Sequence, residues 1–403
     1  MTDTSLEDLN RPTIHAVDGL VDAGLAPPQD RYGQSIRSWV RSLKGIQKEG
    51  VTFSGLTGQA WRFSSDEGSG LGGHDFAPNP LSFVAVGMAG SFMTELLALA
   101  SQRGIVLTEP VLVVENFFYR DGSFPRGTMV AGALAPEVAF QADSSASLDE
   151  TQRLLLDAIA AAPVNGLARD EKISLFTLTY NGEQIDPVEV DALSGDALPD
   201  PGDPIASLAM TADADRGQPL AERTTSEEEI RQRIAEFPPP APVLDGTKKL
   251  LHLRTVCRVR PDGTYEVHRE QYAEISSSWT FVVDDSSTRE RGIAPDSGSY
   301  FAIGLAFCFM TQIGRYANMA KLPVDAYRVV QDTHFTVGGA SSGSGEGGTA
   351  DPVETHIFVD AGITADQTRD VIRVAEQTCF LHALCRDRAK VKVRNESMSP
   401  SGR

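Results

Sequence analysis

The chain has 403 residues, which at roughly 150 residues per domain corresponds to about two or three domains. Its 36 Lys and Arg face 55 Asp and Glu, and the net charge of −19 excludes a function that depends on a basic surface for nucleic acid or acidic membrane. With 41% hydrophobic and 23% charged residues, the composition is that of a folded globular chain rather than a disordered or fibrous one.

In chain order, residues 1–10 carry three acidic side chains and no apolar run, unlike a secretory signal, and residues 1–35 read as an arm. The apolar stretches 76–94 and 297–313 contain Pro, Asn, Ser, Thr or Gly and stop at or below spanning length, so both are expected to be buried core helices and no membrane contact is expected. Ser147-x-x-Glu150 and Thr364-x-x-Gln367 are capping boxes that open amphipathic helices. Residues 191–246, rich in Pro, Asp and Ala, read as a linker with a short helix opened by Ser226-x-x-Glu229. After it, strands are expected at 250–260 and 264–271 around the turn Pro261-Asp262-Gly263, with further strands at 279–283, 327–337, 355–359 and 390–394. Residues 338–348 form a Gly/Ser loop; its Gly339-x-Ser341-x-Gly343 string lacks the following helix that a nucleophile elbow needs.

An offset of 217 residues runs through the chain. It lays Gly87-Met88-Ala89-Gly90-Ser91-Phe92-Met93-Thr94 over Gly304-Leu305-Ala306-Phe307-Cys308-Phe309-Met310-Thr311, Phe118 over Phe335, Leu167-Ala168-Arg169-Asp170 over Leu384-Cys385-Arg386-Asp387, and one capping box over the other. The expected fold is therefore α+β and duplicated: an arm at 1–35, repeat 1 at 36–190, a linker at 191–246 and repeat 2 at 247–403.

The copies differ where a nucleophile could sit. Ser91 stands opposite Cys308 and Ala162 opposite Cys379, so only the second copy has a cysteine pair. Four cysteines in a chain of this length are too few for a disulfide scaffold and suit a reducing cytoplasm. Cys257 and Cys385 read as core. His382, three residues after Cys379, would share its helix face if the helix continues and could serve as base or proton donor. Arg315, Arg386 and His74 are further candidate activators, with Arg386 expected to be structural because Arg169 matches it. Glu354, His356 and His334 could meet across neighbouring strands, but no metal-binding spacing accompanies them, and neither a metal nor a cofactor is expected.

The run Phe301-Ala302-Ile303-Gly304-Leu305-Ala306-Phe307-Cys308-Phe309 and the second cysteine in Ala375-Glu376-Gln377-Thr378-Cys379 resemble the OsmC and organic hydroperoxide resistance superfamily of thiol peroxidases. That resemblance covers residues 61–180 and 252–395. It implies two OsmC-like repeats forming a pseudo-dimer, each with a mostly antiparallel sheet around a long central helix, the first copy degenerate. It further implies a peroxidatic Cys308 resolved by Cys379, a hydroperoxide or other small electrophile as substrate, and a dithiol reductant such as a lipoylated protein. A homo-oligomer is compatible with it. The sequence departs from the family in three places: only Asp296 stands where a glutamate precedes the first cysteine, Phe380 rather than Pro follows the second, and one half lacks both thiols. These departures keep open a cysteine-nucleophile enzyme performing hydrolysis or group transfer, or a non-enzymatic ligand-binding protein.

Overall fold

The computed structural model describes residues 4–202, 204–211, 218–285 and 292–394. In chain order come α1 (Leu6–Leu9), β1 (Ile14–Val17), a meander of β2 (Gly33–Ser42), β3 (Lys48–Ser54) and β4 (Gln59–Ser65), and the long helix α2 (Pro80–Gln102). Then follow β5 (Leu107–Asp121), β6 (Val130–Ala133), β7 (Glu137–Ser144), α3 (Leu148–Ala161), α4 (Asn165–Arg169), β8 (Leu175–Tyr180) and β9 (Glu183–Ile185). The expected linker holds α5 (Pro204–Ser207), β10 (Ala221–Thr225) and α6 (Glu227–Glu236). The remainder is a second meander, β11 (Lys249–Val259), β12 (Tyr265–Ala273) and β13 (Ser276–Val283), the long helix α7 (Ser297–Met319), β14 (Val324–Thr336), β15 (Glu354–Ala361), α8 (Ala365–Thr378), α9 (Phe380–Arg386) and β16 (Lys392–Val393).

Local chemistry explains the boundaries. Asn79 and Asp296 cap the two long helices, accepting from the backbone N–H of Ser82 at 3.2 Å and of Ser299 at 2.8 Å. All three expected capping boxes form, at Ser147, Ser226 and Thr364. The β11–β12 turn places Gly263 at φ +84°, which costs glycine nothing, and Asp262 Oδ1 accepts from Thr264 N–H at 2.9 Å.

The fold is α+β, with two sheets ordered β1-β4-β3-β2-β14-β15-β8-β9 and β10-β13-β12-β11-β5-β7-β16. Pairing is antiparallel except between β15 and β8 and between β16 and β7. Each sheet draws strands from both sides of the linker: β2 pairs with β14, and β11 pairs with β5. Each long helix therefore lies on the meander of the other segment, α7 on β2 and β3, α2 on β11, β12 and β13. The arm and linker are part of this framework, since β1 pairs with β4 and β10 pairs with β13. Helix α2 is long and apolar enough to cross a membrane, but 78% of its most apolar window is buried inside the protein.

The two long helices cross through glycines. A Cβ on Gly87 would stand 2.5 Å from Ser297 O and 2.7 Å from Phe301 N, and one on Gly304 would stand 2.9 Å from Val84 N and 3.0 Å from Pro80 O. The contact is reciprocal at the 217-residue offset, as in a two-fold interface.

Strand β1 contributes a pH-sensitive group. His15 is 2% exposed; burial lowers its pKa to about 4, against a hydrogen bond to Pro12 O. A folded pKa below the unfolded value means that the unfolded chain gains a proton the native chain refuses, so the stabilisation is complete above about pH 6.5 and is lost as pH falls towards 4. The difference amounts to about 3 kcal/mol. Urea midpoints at pH 7 and pH 4.5 should therefore converge in His15→Phe relative to the unsubstituted chain; an identical pH slope in both proteins would refute the assignment.

Candidate functional site

The site forms around the middle of α7. Cys308 is 2% exposed, and Cys379 is fully buried where α8 ends and α9 begins. Burial pushes the Cys379 thiol well above its usual value, reinforced by a hydrogen bond to Cys308 and countered in part by the backbone N–H of His382. The cysteines paired by the sequence thus meet, and burial disfavours the ionised form of Cys379.

Two cations lie in the electrostatic reach of Cys308, namely Lys48 from β3 and Arg315 two turns along α7. Lys48 is 1% exposed, and its Nζ donates to Ile46 O at 2.9 Å. Arg315 Nη1 donates to Gln312 Oε1 at 3.0 Å, and its guanidinium lies 4.8 Å over the ring of Phe124. Glu67, in the loop after β4, balances both cations and accepts from Thr311 Oγ1 at 2.9 Å. Burial pushes the Lys48 ammonium down and the Glu67 carboxyl up, while each charge opposes the other's shift. A buried carboxylate with two cations and two thiols is an arrangement that can hold negative charge on sulfur and deliver a proton close by.

Lys48 and Glu67 are the residues of the candidate site that sequence reasoning missed. The expected acidic partner, Asp296, is instead the N-cap of α7, fully engaged with Ser299. The glutamate comes from the other segment, carried there by the strand exchange that lays α7 across β3. The fingerprint available in sequence was paired charge within or just past a strand, Lys48-Glu49 in β3 and Asp66-Glu67 after β4, all four of which are buried.

His382 differs from expectation. The helix does not run through Cys379, because α8 stops at Thr378 and Cys379 has an extended backbone, φ −78° and ψ 115°. The imidazole is turned to Glu376, which also binds Arg386 at 3.1 Å, and it stacks on Phe309 with centroids 5.1 Å apart. His382 therefore reaches Cys379 through its backbone, and Arg386 serves the Glu376 network. His74 is exposed and stacks on Phe76, away from the thiols. Cys257 and Cys385 are core, their thiols raised by burial, Cys385 to about 12.

The strand histidines separate. His356 turns to Thr177 Oγ1 at 2.8 Å, while Asp332, His334 and Glu354 converge within 4.8 Å. Arg37 takes both Asp332 oxygens at 2.6 Å, and Arg31 takes Glu354 at 2.7 Å, so both carboxylates already have cations. Ser341, in the Gly-x-Ser-x-Gly string, bonds Glu95 at 2.5 Å and no helix follows it.

No curated protein matches the chain. Residues 289–394, about a quarter of the chain, match the family described as OsmC-like protein. This span contains α7, both cysteines of the contact pair and the α8–α9 break at Cys379. This segment is similar to the OsmC-like family.

Proposed function

We propose that the protein is a cysteine-based peroxidase acting on organic hydroperoxides, with Cys308 as nucleophile and Cys379 as resolving thiol. The observation that carries the reading is the meeting of Cys379 with Cys308 at α7, within the electrostatic reach of the buried Lys48 and Arg315. The Cys308 sulfur attacks the terminal oxygen of ROOH, the O–O bond breaks, and the alkoxide takes a proton and leaves as ROH. Cys308 is then a sulfenic acid, oxidised by two electrons. Cys379 gives up its proton and attacks the sulfenic sulfur, forming an S–S bond and releasing water. A dithiol, such as a lipoylated protein, restores both thiols by exchange and leaves as its own disulfide.

In the same reading, the chain is two OsmC-like repeats, at 36–190 and 247–403, folded as an intramolecular pseudo-dimer in a reducing cytoplasm. The reciprocal glycine crossing, the matched capping boxes and the strand exchange support it. The first repeat carries Ser91 and Ala162 in place of the thiols, leaving one thiol site per chain.

The test is peptide mapping after one equivalent of cumene hydroperoxide is added to reduced protein and free thiols are alkylated. A Cys308–Cys379 disulfide formed with matching loss of peroxide is the expected result. Two alkylated, unoxidised thiols would overturn the reading and move the search to hydrolysis or group transfer at Cys308.

A further inference from the structure

A histidine and two carboxylates meet on the face of the first sheet that turns away from α7. In β14, Gln331 Nε2 donates to Ala302 O at 3.2 Å and Phe335 stands edge-on to Phe301, so these two face α7. Asp332 and His334 alternate with them and point to the other face. Glu354 of β15 stands opposite Asp332 in the strand pairing. Each of Asp332, His334 and Glu354 presents one ligand atom, and the three atoms lie within 4.8 Å of one another.

The hydrogen bonds around His334 fix its tautomer. Ser35 Oγ donates to Asp30 Oδ1 at 3.4 Å and accepts from the backbone N–H of Arg31 at 3.1 Å. A hydroxyl has one proton to give, so the 2.8 Å bond between Ser35 Oγ and His334 Nδ1 is made with the proton on Nδ1. Nε2 is then a bare lone pair. His334 is 1% exposed, and its Nε2 is buried without a hydrogen-bond partner among the described residues. Burial also lowers the His334 pKa, which keeps the ring neutral. Buried polar atoms are nearly always satisfied, and two carboxylates have no proton to offer a lone pair, so this nitrogen points to a bound cation. His356 on β15 is spent differently: its Nδ1 accepts from the backbone N–H of Leu198 at 3.2 Å, which leaves its proton on Nε2.

We propose that Asp332, His334 and Glu354 bind a divalent transition-metal ion, with His334 Nε2 and one oxygen of each carboxylate as ligands. Ser35 then plays the part of the outer partner that takes the second ring N–H of a metal-bound histidine and sets the ring's orientation. One imidazole nitrogen with two carboxylate oxygens suits Mn²⁺ or Zn²⁺ and leaves further positions for water. Ligand bonds of about 2.1 Å require the three atoms to draw together, which the half-buried Glu354 side chain supplies by a change of rotamer. The arginines leave room for the ion. Arg37 uses one lone pair on each Asp332 oxygen, and an ionised carboxylate has about four. Arg31, the more exposed of the two, holds Asp351 at 3.1 Å as well as Glu354, so it can release Glu354 and keep a counter-charge. The bound ion clamps β14 to β15, and it uses neither Cys308 nor Cys379, so it stands or falls separately from the peroxidase reading.

The test is titration of the EDTA-treated full chain with Mn²⁺, with free Mn²⁺ read by electron paramagnetic resonance, followed by competition with Zn²⁺ and Mg²⁺. Binding of about one Mn²⁺ per chain is expected, displaced by Zn²⁺ but not by an equal concentration of Mg²⁺, together with a higher urea midpoint in the presence of Mn²⁺. His334→Phe, which installs the residue that Phe117 provides at the 217-residue offset, and Glu354→Gln should each weaken Mn²⁺ binding about ten-fold or more. Cys308→Ser/Cys379→Ser should bind Mn²⁺ as the unsubstituted chain does. If His334→Phe fails to fold by circular dichroism, Glu354→Gln decides. Absence of saturable Mn²⁺ binding, equal displacement by Mg²⁺, or binding unaltered in the folded variants, which would mark adventitious capture by surface acids, would each overturn the proposal.

Discussion

Cys308→Ser should reduce hydroperoxide turnover to the buffer background, while Cys379→Ser should leave one round of peroxide consumption intact and block the next. The asymmetry follows from the site. Cys379 is fully buried, and its thiol is raised by burial and by its bond to Cys308, which disfavours it as the first attacking thiolate. Cys308 lies within the electrostatic reach of Lys48 and Arg315. Without Cys379 the sulfenic acid has no resolving partner, and it should be trapped by dimedone at Cys308 in intact-mass spectra. Turnover that survives in Cys308→Ser, or a Cys379→Ser protein that cycles normally with a dithiol, would remove the two-cysteine mechanism.

Lys48→Met should lower kcat/KM for the hydroperoxide about 100-fold, comparable to losing one preorganised electrostatic group at a reacting centre. Methionine keeps most of the volume, so the change isolates charge. Glu67→Gln should weaken activity through a different route, because it removes the largest counter-charge of the buried Lys48 and Arg315. Weakening the compensation of buried charges lowers stability, and this variant should show a lower urea midpoint. The double variant Lys48→Met/Glu67→Gln should regain much of that stability and none of the activity. The readout specific to sulfur chemistry is the alkylation rate of Cys308 with iodoacetamide in a Cys379→Ser background, which should fall with Lys48→Met. An unchanged alkylation rate would mean that Lys48 is only structural.

Much of the architecture was legible because it is locally encoded. Capping boxes at Ser147, Ser226 and Thr364 and the Pro261-Asp262-Gly263 turn satisfy backbone groups within a few residues, and each forms where its side chains sit. The break at Cys379 was legible only indirectly. Phe380 carries no helix-breaking chemistry, but Pro163, its partner at the 217-residue offset, follows α3 where that helix ends. Carrying that proline's meaning across the offset would have placed Cys379 at a helix junction and taken His382 off its helix face.

The sequence by itself determined the internal offset, the two long apolar helices, the unequal cysteine content of the halves and the residues able to act as nucleophiles, because these depend on identity and short-range periodicity. Only the tertiary structure decided what surrounds the sulfur. Glu67 reaches Thr311 across 244 residues, and Lys48 arrives with it, because β2 pairs with β14 and carries the neighbouring β3 beneath α7. Strand pairing between distant segments is selected by burial of whole sheet faces and helix crossings, a sum over many weak contacts that no local pattern records.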